Sequence, residues 1–301
     1  MKSKTKALLK RNAAYYAFLA VPMALYFVFF FYPNFMALVW SFYKWDGLSP
    51  EMTFVGMKNY VDLFTKSSLF YQAFGNTLVY TVVLMIGSNL LGLLAALFIY
   101  KPSKLNNIFR TIFYLPGVLA TVAIGSMWTL GVYNPNFGML NTVLRALHLD
   151  ALTTAWLADP NTALVSVAVV HVWQNLGFSM ILYIAGIQEI PEELYESASI
   201  EGANRVQYIW HIVLPLLRRV ASIVMILVLI FGMRAFGLIF IMTEGGSATG
   251  VTEVLTTMQF RQGFSYRKVG FSNAIAVMIL FVVVTTSAVQ KWMIRERGSV
   301  K

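Results

Sequence analysis

Two apolar stretches of this 301-residue chain hold the side chains best equipped to handle a solute. The first, VVHVWQNLGFSMILY, crowds Trp173, Gln174, Asn175, Gly177, Phe178, Met180 and Tyr183 into fifteen residues. The second, FGMRAFGLIF, carries Arg234. Side-chain amides bond hydroxyl groups, aromatic faces cover C–H surfaces, and glycine leaves room between helices. The same residue types also knit membrane helices together, so spacing leaves both roles open. Arg234 is the one charge well inside an apolar run; such an ion must face water or a partner, or snorkel outward. His171 reads as a hydrogen-bonded packing residue.

Covalent and metal chemistry are poorly provided for. With no cysteine, disulfides, thiolate ligands and cysteine nucleophiles are absent. His148, His171 and His211 are too few to suggest a metal centre. No G-x-x-x-x-G-K-[ST] phosphate loop occurs. The triplet GFS occurs at Gly177, Gly263 and Gly270 but never in a G-x-S-G setting, which leaves an intramembrane serine enzyme without its nucleophile. An ion-coupled carrier usually places an acid within the membrane. No Asp or Glu stands in the middle of an apolar run here.

The elements that must position these residues follow from composition. The chain is 58% hydrophobic and 12% charged, about half the charge of an ordinary soluble domain. About 20 apolar residues span a bilayer core. Six such runs can be read, near Ala14–Tyr32, Phe74–Tyr100, Ile108–Val132, Ala163–Ile187, Val220–Met242 and Val269–Met293. The expected fold is all-α: six transmembrane helices in one domain over 13–293, between basic tails at 1–12 and 294–301. The first run is too long for a signal-peptide core and is expected to remain as a helix. Basic residues of both tails, of the second connection (Lys101, Lys104, Arg110) and near residue 205 outnumber those of the opposite loops about two to one. Both termini are therefore expected in the cytoplasm, and the net charge of +10 needs no nucleic acid. The opposite loops carry the turn patches NPNFG and TEGGSATG.

Between the fourth and fifth runs lies ELYESASIEGANRVQYIWHIVLP, residues 193–215. Pro191 suits a first helical turn, Gly202 a helix end and Asn204 a second N-cap. Two short amphipathic helices are expected over about 191–215, with Pro215 kinking the start of the fifth span. An interfacial helix should carry basic residues on its polar face. Here Glu189, Glu192, Glu193, Glu196 and Glu201 dominate, which favours docking of a soluble partner.

This stretch resembles the EAA loop of ATP-binding-cassette import permeases: Glu196-Ser197-Ala198, three residues, Gly202, nine residues, then Ile212-Val213-Leu214-Pro215. Only Ser197 departs from the pattern. The flanking IPEELYESASIEGAN is similar to the carbohydrate-uptake, maltose-transporter-like branch, and the likeness covers the whole six-span layout. The resemblance implies a transport subunit of a cell (inner) membrane, not an enzyme, forming half of a sugar or oligosaccharide pathway. It implies three kinds of partner: an ATPase dimer, a second and different permease, and an extracytoplasmic solute-binding protein. ATP and Mg would be held by the ATPase, with no cofactor in this chain. Glu196, Ser197, Ala198, Gly202, Ile212, Leu214 and Pro215 would belong to the coupling element. The WQNLGF region and Phe231, Gly232 and Ala235 would face the solute.

Overall fold

The computed structural model describes residue 15, residues 17–245 and residues 250–297. The expected tail 1–12, residues 246–249 of the TEGGSATG patch and residues 298–301 lie outside the described residues. In chain order the helices are α1 (Ala17–Trp40), α2 (Lys58–Lys66), α3 (Ser68–Ile99), α4 (Lys104–Val118), α5 (Thr121–Val132) and α6 (Met139–Ala146). They continue as α7 (Ala163–Gln188), α8 (Glu192–Ile200), α9 (Arg205–Leu216), α10 (Arg218–Met233), α11 (Gly237–Met242), α12 (Leu255–Phe260) and α13 (Val269–Arg297). The strands β1 (Tyr43–Lys44) and β2 (Thr53–Phe54) pair antiparallel, a two-residue ladder that the all-α expectation did not include.

Among the described residues, four helices (α1, α3, α7 and α13) are long and apolar enough to cross a membrane alone. The expected third and fifth spans are not straight. The α4–α5 pair bends by 98° and the α9–α10 pair by 64°. Pro116 and Gly117 close α4, after which Leu119 and Ala120 turn extended (ψ 146 and 131). Proline withholds an N–H and crowds the preceding turn, so the break has a local cause. The fifth run breaks again between α10 and α11, where Arg234 and Phe236 leave helical geometry. The Thr256 hydroxyl donates to the Ala235 carbonyl at that break.

Proline shapes the helices elsewhere too. Wide π-turns at Phe27–Phe31, Trp128–Val132 and Ile209–Val213 stand two or three residues ahead of Pro33, Pro135 and Pro215. Each is closed by an i→i−5 bond, as from Tyr32 N–H to the Phe27 carbonyl. A π-turn is a usual accommodation where the i→i−4 ladder is disturbed. Asn34 Nδ2 then donates to the Phe30 carbonyl at 2.7 Å.

By contact the chain forms two compact units, Met1–Lys66 with Gln262–Met278 and Ser67–Arg261 with Ile279–Lys301. In the first, buried Asn59 donates to the Ser41 and Tyr43 carbonyls (2.7 and 2.9 Å), and Ser41 Oγ lies 2.7 Å from Tyr60 Oη. Asp46 accepts from the Leu48 and Ser49 amides, and these bonds, Ser49 first, hold its carboxyl below the usual range.

The second unit is built on α3, α7 and α10. Uniformly apolar helices have no hydrophobic force pulling them together in lipid, so small residues set the approach. A methyl added at Gly92 would sit 2.6 Å from Ser179 Cβ, and one at Gly232 2.8 Å from Thr81 Cα. The fully buried Leu84, Val167, Val170, Met180, Val224 and Val228 fill the remaining seam.

Candidate functional site

The two stretches singled out in the sequence lie on α7 and around the α10–α11 break. Phe178 and Phe231 meet edge to face, ring centres 5.5 Å apart. Trp173 meets Trp128 of α5 in the same way, at 5.5 Å. Trp173, Gln174 and Phe178 are half-buried, Phe231 is exposed, and Arg234 is exposed at the C-terminal end of α10. A cation suits that end of a helix dipole.

The remaining residues of the set face other helices. Asn175 reaches Ser88 Oγ at 3.5 Å, and Tyr183 Oη donates to Asn89 Oδ1 at 2.8 Å. His171 Nδ1 lies 3.0 Å from Tyr80 Oη, the hydrogen-bonded packing role read for it. Met180 is buried, as are Gly232, which backs onto Thr81 of α3, and Ala235 at the break of the fifth run. Gly177 packs on the α4 backbone, where an added methyl would lie 2.5 Å from Tyr114 Cα and against the Phe113 carbonyl. Two backbones cannot yield like a side chain, so Gly177→Ala is expected to cost about 1–3 kcal/mol through overpacking. Thermal unfolding of the purified complex checks this. A glycine that only left room for solute would change uptake and leave unfolding untouched.

Three features escaped the sequence reading. Trp128 Nε1 and Thr129 Oγ1 are buried with no protein partner among the described residues, next to Trp173. Buried Asn141 organises the loop after α5: it donates to the Thr154 carbonyl at 2.9 Å and accepts from Trp156 Nε1 at 2.8 Å. The third is an ion pair. Glu253 is fully buried, and its carboxylate lies 2.9 Å from the Arg261 guanidinium. Burial pushes its carboxyl up, against the opposing pull of Arg261 and Thr257. Asn76 of α3 donates to the Val251 and Glu253 carbonyls, both at 2.8 Å, and Thr77 accepts from Leu255 N–H at 3.0 Å. Sequence placed Glu253 and Arg261 in one loop; only the fold buries one against the other.

The acidic stretch forms two helices. α8 starts after Pro191 and ends near Gly202, whose φ of +79° is the left-handed turn expected of it. Asn204 caps α9 with a reciprocal capping box: its side chain takes Gln207 N–H at 2.9 Å, and Gln207 takes Asn204 N–H at 2.8 Å. Ala198 is buried, Ile212 and Leu214 are half-buried, and Glu196, Ser197, Gly202 and Pro215 are exposed. Large apolar side chains also stand in the open: Ile200 is 87% exposed, Trp210 65% and Val206 62%. A soluble surface rarely leaves such a group uncovered.

Residues 88–297 match the family described as binding-protein-dependent transport system inner membrane component. The chain is 36% identical over 277 residues to the probable ABC transporter permease protein YurN of Bacillus subtilis, covering 91% of this chain and 94% of that one. It is 34% identical over 275 residues to the multiple sugar-binding transport system permease protein MsmF of Streptococcus mutans, covering 91% and 93%. In structure it is similar, with a TM-score of 0.83, to a chain of a bacterial ABC transporter involved in the import of the acidic polysaccharide alginate. That match covers 99% of this chain and 100% of the other at 24% identity, a likeness of fold.

Proposed function

This chain belongs to the family of binding-protein-dependent transport system inner membrane components, and from that premise we propose that it forms half of the pathway of an ATP-driven sugar or oligosaccharide importer. It is a multi-pass transport subunit rather than an enzyme. In the proposed arrangement the two bent pairs each count as one span, giving six in all within the domain 13–293. Both termini and the α8–α9 hairpin face the cytoplasm. A second permease completes the pathway, an ATPase dimer holds ATP and Mg, and an extracytoplasmic binding protein delivers the solute.

The observation that carries the reading is the hairpin. Its glycine turn and capping box make a preformed unit, so little ordering entropy is lost when a partner docks. Its exposed Ile200, Val206 and Trp210 give that partner an apolar anchor, and the surrounding glutamates turn it away from an anionic membrane surface. Closure of the ATPases on ATP would move such a unit as a rigid body and tip the pathway between its openings. In the pathway, Trp173 and Phe178 of α7 with Phe231 beyond them would cover sugar C–H faces, and Gln174 would reach hydroxyls. Asn175, Gly177, Met180, Tyr183, Gly232 and Ala235 would hold those groups in place, with Arg234 at the helix break.

The absence of native cysteine makes the docking directly testable. A cysteine placed at exposed Ser197 is expected to cross-link to the co-expressed ATPase, and one at Asn136 in the loop after α5 is not. Equal cross-linking from both positions, or none from Ser197, would sink the assignment.

A further inference from the structure

We infer that the hairpin drives the pathway through a second linkage besides its covalent continuation into α10: Lys101, Tyr195 and Arg205 clamp the C-terminal end of α3. The inference rests on the docking reading of the hairpin given above.

The last carbonyls of a helix have no partner within it. For the 32-residue α3 they are taken from two directions. From α4, Arg110 places Nε and Nη2 at 3.2 and 2.9 Å from the Ile99 carbonyl, and Nη2 at 2.6 Å from that of Tyr100. From the hairpin, Arg205 Nη2 donates to the Leu97 carbonyl at 3.3 Å. Both cations sit at the negative end of the α3 dipole. Just past that end, the Lys101 ammonium stands 5.6 Å from the Tyr195 ring centre and 6.0 Å from that of Tyr100. This range allows a cation–π attraction. Tyr195 in turn meets Tyr208 edge to face at 5.2 Å, which braces α8 against α9. Arg110 thus fixes the end of α3 to α4, and Arg205 and Lys101 fix it to the hairpin.

The space around these contacts sharpens their role. A cavity of about 1000 Å³ opens between the hairpin and the ends of α3 and α7, with Phe98, Pro102, Asn106, Gln188 and Ser199 in its walls. The hairpin therefore does not lie flush on α3. A push on it reaches α3 through groups that bridge this space, among them the Lys101–Tyr195 and Arg205–Leu97 contacts. From α3 the displacement has a tight route onward. Gly92 backs directly onto Ser179 of α7, one residue from Phe178. Packed interfaces of this kind shift as units, not by continuous deformation.

The test reads transmission without needing the solute. In the complex assembled with its ATPase and second permease, a single cysteine replaces Phe178. Its labelling rate by a maleimide is measured with and without MgATP and vanadate. The nucleotide is expected to change the rate in the otherwise unaltered chain. Lys101→Gln and Tyr195→Leu are expected to shrink that change about fivefold, the lower end of ordinary coupling between sites. Lys101→Arg and Tyr195→Phe keep the cation and the ring, and are expected to preserve it. In every variant the ATPase should remain bound and the Ser197 cross-link intact. An unaltered nucleotide response in Lys101→Gln and Tyr195→Leu would overturn the linkage, as would no response in the starting chain. Loss of ATPase binding in those variants would overturn it too, by making them docking residues. Failure of the Ser197 cross-link in the starting chain would instead strike the docking reading on which the linkage stands.

Discussion

A permease with Arg261 replaced by glutamine will lose about 3–5 kcal/mol of stability, because the change strands a buried carboxylate without its counter-ion. Glu253 is fully buried and Arg261 is its ion-pair partner among the described residues. The guanidinium also donates to the Gly245 carbonyl, so the substitution loosens both ends of the segment leading into α12. Replacing both partners, Glu253→Gln with Arg261→Gln, should recover most of the loss, since no charge then stays buried. The pH dependence has a definite sign. Burial raises the folded-state pKa of Glu253 above the ordinary value of about 4.3. Its protonated form is favoured by folding, and that contribution is fully present below the unfolded pKa and lost as pH rises through the folded one. Without Arg261 only the smaller pull of Thr257 still opposes the raising effect. The single variant should therefore be least stable at pH 8 and regain stability towards pH 5. Thermal unfolding of the purified complex across that range checks both points. An Arg261→Gln variant as stable as the parent at pH 8 would remove the ion pair from the account.

The second large effect falls on the hairpin. Gly202 holds φ at +79° with nothing within 4 Å of an added methyl, so the conformation alone decides what a substitution does there. A left-handed L-residue costs about 1–2 kcal/mol, and asparagine bears it best. Gly202→Val should shift the hairpin out of its native turn by a factor of roughly 5–30. Uptake should fall by a similar factor, with the membrane content of the protein unchanged. Gly202→Asn should lie between the two. Equal uptake by the valine variant and the parent would mean that the turn does not set the docking geometry.

How legible these features were depended on the distance over which their causes act. The spans α7 and α13 could be read from their first residues and α3 from its second turn onward, because each is a long apolar run. The true start of α3 lies six residues earlier than read, where Ser67 takes Phe70 N–H at 3.2 Å. The turn at Gly202 and the cap at Asn204 were equally local, and both stand where the residue types put them. The break after α4 was partly legible in Pro116 and Gly117, but a hydropathy window averages across it. The break at Arg234 had no such local sign. Its freed Ala235 carbonyl is met by Thr256, 21 residues further on. The Glu253–Arg261 pair was hidden for the same reason. Its burial depends on Asn76 and Thr77 of α3, 175 residues or more away. Spacing could not decide which side of α7 meets α3. The packing distances now divide the set: Asn175 and Tyr183 bond to α3, while Trp173 and Phe178 meet aromatic rings of α5 and α10.

The most direct test of the central claim is solute uptake into vesicles that hold this chain with its permease partner, ATPase and binding protein. An ATP-driven importer predicts accumulation that requires ATP on the ATPase side and persists when proton and sodium gradients are collapsed. Accumulation that follows an imposed ion gradient and proceeds without ATP would contradict it.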